Sequence, residues 1–176
     1  MRSAPLALTA LTAAALLLTG CSGDGDDGGA GETKGTGTAC SVDGIDIEVG
    51  PANAAPVAGD TGNVPVTLTN HGDADCTLEG FPGVALRAGD SSATVPEEEA
   101  AQPQKLTLAK DTAATFTITY VRGEAGGAGT LDAKKLAISL PGGSDEREFP
   151  WSYGPVPVDG EVVPDATVSA FQQAGD

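Results

Sequence analysis

Ala114-Thr115-Phe116-Thr117-Ile118-Thr119-Tyr120-Val121 places an apolar side chain at every second position, with three threonines and one valine between them. Side chains that alternate across an extended backbone put one face in a core and the other in water, so this stretch predicts a half-buried β-strand. The same period recurs on both sides. Ile45, Ile47 and Val49 alternate with Asp46 and Glu48, and Val64, Val66 and Leu68 alternate with Pro65, Thr67 and Thr69. Cys76 with Leu78, Val84 with Leu86, and Leu136, Ile138 and Leu140 continue the scheme, and Phe149, Trp151 and Tyr153 share one parity. Val168 with Ala170 closes it.

Between these runs lie Gly50-Pro51, Asn70-His71-Gly72-Asp73, Gly89-Asp90, Gly126-Gly127 and Pro141-Gly142-Gly143. Gly and Asn tolerate positive φ and Pro fixes its own φ, so each is a turn signal with a backbone cause. No helical periodicity runs longer than a turn or two. About seven or eight short strands at this spacing predict an all-β fold, an antiparallel immunoglobulin-like β-sandwich over residues 40–176. Pro65 lacks a ladder donor, which predicts an edge strand or a bulge there.

The N-terminal end has a different character. Arg2 precedes an apolar run, Leu6 to Leu18, that is too short to span a bilayer, and Leu18-Thr19-Gly20-Cys21 follows. That arrangement resembles the bacterial lipobox: residues 1–20 read as a lipoprotein signal peptide, and Cys21 as the lipidation site that becomes the first mature residue. A diacylglycerol thioether supplies two acyl chains, enough for stable membrane anchoring where one is marginal. The expected address is therefore the extracellular face of the cytoplasmic membrane. Ser22 to Ala39 reads SGDGDDGGAGETKGTGTA, without a large apolar residue. It predicts a disordered tether spanning about 20–25 Å on average. Asp24, Asp26 and Asp27 suggest calcium, but Gly28 stands where an EF-hand loop needs its third ligand.

The chain carries 9 Lys+Arg against 25 Asp+Glu, a net charge of −16, and cleavage after Gly20 would remove Arg2 and move it to −17. Such a chain is repelled by nucleic acid and by anionic head groups, which excludes both as partners; a monomer, or a weakly associating chain, is expected. With Cys21 committed to lipid, Cys40 and Cys76 remain, and in an oxidising compartment they predict one disulfide. Two isolated cysteines and one distant histidine do not supply a zinc site, so no metal or cofactor is expected.

Ala58-Gly59, Val66-Thr67-Leu68-Thr69-Asn70 and Cys76-Thr77-Leu78-Glu79-Gly80-Phe81-Pro82-Gly83-Val84-Ala85-Leu86 together resemble the domain of unknown function 4232, found in exported actinobacterial lipoproteins. The shared pattern is an early Cys, an L-T-N strand, a C-x-L-x-G-x-P segment and a later L-x-x-x-x-x-A strand, which Leu108 to Ala114 fits. The resemblance implies that Cys40 and Cys76 are the family's first cysteine pair, and it implies no enzymatic activity. Many members carry a second pair in the C-terminal half, which this chain lacks. Gly80-Phe81-Pro82-Gly83 is expected to bend at a sheet corner, with Phe81 plugging the core.

Gly89-Asp90-Ser91-Ser92 echoes a serine-protease nucleophile loop, with His71 the only histidine available as base, but one short echo does not make a triad. Glu97-Glu98-Glu99 reads as a solvated charge run, because consecutive extended residues point to opposite sides. Phe149, Trp151 and Tyr153 most simply fill the core of a chain with only seven aromatics, but if extended and exposed they form an aromatic strip that covers sugar rings. The expected function is thus a lipid-anchored, non-catalytic binding or interaction module of the cell envelope. Its expected partner is an envelope protein, or a cell-wall glycan held by the strip; a serine hydrolase at Ser91 is the remaining alternative.

Overall fold

The computed structural model describes residues 37–160 and 162–175. The expected signal peptide and lipidation site at Cys21, the Asp24–Asp27 cluster and most of the expected tether lie outside them. Among the described residues the strands are β1 (Thr38–Ala39), β2 (Ile45–Val49), β3 (Thr61–Asn70), β4 (Cys76–Leu78), β5 (Gly83–Ala88), β6 (Ser91–Thr94) and β7 (Leu106–Leu108). β8 (Ala113–Val121), β9 (Thr130–Leu131), β10 (Lys135–Ser139), β11 (Glu146–Pro150), β12 (Val156–Pro157), β13 (Ala166–Val168) and β14 (Gln172–Gln173) complete the set. The only helical turn among them is a 3-10 turn at Val42–Gly44.

Two main sheets form a β-sandwich. One has the order β13-β8-β3-β2, with β14 also on β8, and the other β11-β10-β5-β6; every pairing within them is antiparallel. Smaller ladders, β1-β4-β7 and β12-β9, close the rims. The inward side chains of the alternating runs supply one core: Ile45, Val64, Val66 and Leu68 from one sheet, Leu86, Leu136 and Ile138 from the other, with Phe116, Ile118 and Tyr120 of β8. The expected all-β sandwich is therefore present, although β6, which shows no alternating run, joins a main sheet while the marked strand Cys76–Leu78 pairs in a smaller ladder. β1 pairs in parallel with β4, so among the described residues strand pairing already includes Thr38 and Ala39.

One expectation is met in its second form and one needs correction. β3 is a central strand, yet Pro65 obeys its own chemistry. Residues 49–52 on the β2 side face only 64–66 of β3 before the Asn53–Asn63 bridge resumes pairing. That surplus residue is a bulge, and it lies opposite the position where Pro65 cannot donate. Pro65 still accepts there, from the Gly50 N–H at 2.9 Å. Phe81 is half-buried and Pro82 is the buried neighbour. Gly80, at φ 99°, makes the expected bend, and the turned chain presents proline rather than phenylalanine to the core.

A second bulge separates β13 from β14. Ser169, Ala170 and Phe171 face Phe116 and Thr117 only, and inward parity switches across them, so Ala170 and Phe171 are both buried. Phe171 meets Phe116 edge to face, with centroids 5.9 Å apart.

Candidate functional site

Cys40 and Cys76 form the expected disulfide, with Cα atoms 4.9 Å apart, and Cys40 N–H donates to the Thr77 carbonyl at 2.9 Å. The bridge fixes the entry of the chain to β4, a structural duty.

The aromatic strip does not stand open to solvent. β11 ends at Pro150, so the extension needed to align the three rings stops before Trp151. Trp151 is only 4% exposed and its indole N–H donates to the Gly154 carbonyl at 2.7 Å. Its ring packs edge to face on Tyr120 at 5.1 Å and on Tyr153 at 4.9 Å. Phe149 and Tyr153 are half-buried against the core. Burial first, and the nearby Tyr120 second, push the Tyr153 phenol up. Shared parity put these residues on one face, but that face turns inward, and the indole is not free to stack on a ligand.

Ser91 belongs to the β11-β10-β5-β6 sheet, whereas His71 stands just beyond a strand of the other. Gly89-Asp90 is a two-residue hairpin between β5 and β6, with Gly89 at φ 55°, and Ser91 is the first residue of β6. His71 follows β3 and faces Asp46 at 3.7 Å. Glu97 to Glu99 are exposed, and the Glu98 N–H donates to the Val168 carbonyl at 2.9 Å. Among the described residues no group of three or more His, Cys, Asp or Glu is placed to hold a metal.

A different feature emerges at the β13–β14 bulge. There a cleft of about 420 Å³ opens between β14 and the segment leading into β7. Gln102 and Gln104 line it from one segment and Gln172 and Gln173 from the other, with Ser169 of the bulge and Glu98 also in the lining. Leu106, Ala170 and Phe171 form the apolar floor. Ser169 is held by its own bulge: its Oγ accepts from Thr117 N–H at 3.0 Å and donates to the Ala170 carbonyl at 3.1 Å. Gln173 Nε2 donates to the Ala113 carbonyl at 3.2 Å. Gln102, Gln104 and Gln172 are exposed. Lys105, between Gln104 and Leu106, is drawn away to Glu79 at 3.5 Å. Among the described residues, Glu98 is thus the only charged side chain lining the cleft. Sequence reading missed this site because its walls come from segments far apart in the chain, neither bearing a motif.

A shallower concavity of about 440 Å³ lies beside Arg122, Gly123 and Glu124. The Arg122 guanidinium is already engaged there, donating to the Ala55 carbonyl at 2.8 Å and the Pro56 carbonyl at 3.3 Å.

No curated protein matches the chain. The sequence profile of one family, described as Domain of unknown function (DUF4232), matches residues 40–172, which takes in nearly all of the sandwich from Cys40 through β13 to Gln172 in β14. On that match, which spans more than half of its length, the chain belongs to the DUF4232 family.

Proposed function

We propose that this chain is a lipid-anchored protein of the outer face of the cytoplasmic membrane, whose domain is a non-catalytic module that binds a component of the cell envelope. The observation that carries the reading is Cys21, directly after Leu18-Thr19-Gly20 at the end of a short apolar run that starts near Arg2. A Gly- and Asp-rich stretch then separates that cysteine from the first strand at Thr38. The Cys40–Cys76 disulfide supports an oxidising compartment outside the cytoplasm. The cleft beside β14 supports binding, since it joins an apolar floor to uncommitted polar side chains, the usual make-up of a ligand site.

In-cell cross-linking of the full chain tests the reading. An envelope component captured reproducibly by the wild type, kept when residues 22–36 are replaced by a neutral Gly/Ser linker and lost in a Gln104→Ala/Gln172→Ala double variant, is the expected result. Cross-links that follow the tether and ignore the domain would contradict it.

A further inference from the structure

We infer that the glutamine cleft is a saccharide subsite for an uncharged oligosaccharide that carries hydroxyl and acetamido groups. The assignment deepens the binding-module reading and rests on it, but not on the lipid anchor.

The chemistry of the walls selects the ligand. Each glutamine amide offers two donors and an acceptor oxygen, and each sugar hydroxyl is donor and acceptor at once. Gln102, Gln104 and Gln172 bring this mixed display to the cleft from both segments. An anionic ligand would find no cation among the lining residues and would meet Glu98, within a chain of net charge −16. A cation would find one exposed carboxylate. A neutral polyhydroxyl chain meets neither penalty.

The floor and the frame agree with this choice. Leu106 and Ala170, backed by Phe171 at 3% exposure, give an apolar base for the C–H face of a pyranose or an acetamido methyl group. The volume, about 420 Å³, falls within the roughly 300–1,000 Å³ of small-ligand sites. An extended peptide is the competing occupant, and it would need an open strand edge. The edge of β13 is already taken: Val168 N–H donates to the Pro96 carbonyl at 3.0 Å, and Glu98 N–H donates back to Val168. That closes the β13 edge to strand addition, and at the cleft itself the uncommitted Gln102, Gln104 and Gln172 side chains present the polar groups for recognition.

The test is titration calorimetry on the full chain in a polyoxyethylene detergent, which lacks a competing sugar head group, with an N-acetylglucosamine tetramer as probe. The expected result is saturable binding, insensitive to added salt because no ion pair forms, and weakened about tenfold or more in Gln104→Ala/Gln172→Ala. Both glutamines are exposed, so the variant should keep the wild-type melting curve. Absence of saturable binding to wild type, or binding equal in the variant, overturns the assignment. If the tetramer is silent while the in-cell cross-link still depends on the two glutamines, the saccharide falls and the binding module stands. If both are absent, both fall.

Discussion

Gly62 and Tyr120 face each other across the β3–β8 ladder, and the tyrosine ring occupies the space that a side chain at 62 would need. A Cβ at that position would come within 2.5 Å of Tyr120 Cε1 and 2.7 Å of Cζ. The ring cannot retreat, because Trp151 packs on it and the hydroxyl is tied on both sides. Gly62→Ala should therefore destabilise by about 1–3 kcal/mol, the usual cost of overpacking. Urea unfolding checks this, and a midpoint equal to wild type would mean the ring has room to move.

The Tyr120 hydroxyl accepts from Ala55 N–H at 3.2 Å and donates to the Tyr153 carbonyl at 3.1 Å, linking the loop after β2 to the turn after β11. Tyr120→Phe leaves both backbone groups without this partner, at about 1–3 kcal/mol. Amide exchange should rise at Ala55 in the variant. Unchanged protection there would show that the hydroxyl bond is not holding the loop.

Trp151 is the chain's only tryptophan, which makes its burial directly readable. Its emission should be blue-shifted and shielded from iodide until the domain unfolds. Trp151→Ala should cost about 3–5 kcal/mol, as for other buried large aromatics. Emission near that of free indole would place the ring in water.

Arg147 extends from β11 across to the opposite sheet, where Nη2 donates to the Val42 carbonyl at 3.0 Å and Nη1 to the Ile45 carbonyl at 3.3 Å. Removing a charged donor from such a pair costs about 1.5–3 kcal/mol per bond at most. Arg147→Met, which keeps much of the stem, should lower the melting temperature, and Arg147→Lys should recover only part of the loss because the fork is gone. Equal stability in all three would remove this link between the sheets.

On the outer face of β10 and β11, Lys135 first and Arg87 second hold the Glu148 carboxyl below its usual range. Glu148 in turn is the first cause, and Glu146 the second, that raise Arg87. A carboxyl whose pKa is lowered on folding adds stability above its unfolded pKa and loses it as pH falls through the folded value. The difference between wild type and Glu148→Gln should therefore be constant near neutral pH and vanish in acid, below the usual carboxylate range. Salt should shrink it, since the cluster is exposed. Urea midpoints across acid to neutral pH test this, and a difference that grows in acid would reverse the assigned sign.

The legible parts of the fold were those where period two ran long enough to fix a face. The nine residues of β8 and the alternating stretches of β2 and β3 are such cases. β6 stayed hidden because only Ala93 of Ser91–Thr94 turns inward, and β9, β12 and β14 are two-residue strands without room for a pattern. Parity placed Phe149, Trp151 and Tyr153 together but carries no sign, so it could not say that the shared face was the core. The disulfide was readable by cysteine count once Cys21 was set aside. The cleft was not, because a bulge at Ser169–Phe171 brings Gln172 and Gln173 beside Gln102 and Gln104, and glutamine alone has no sequence signature.

The central claim is the address, and the intact mass of the protein purified from a membrane fraction tests it most directly. The account predicts a chain that begins at Cys21 and carries the added mass of a diacylglycerol thioether, with Cys21→Ser blocking both cleavage and lipid. A protein recovered at its full translated mass, or cleaved with Cys21 as a free thiol and released to the medium, would contradict it.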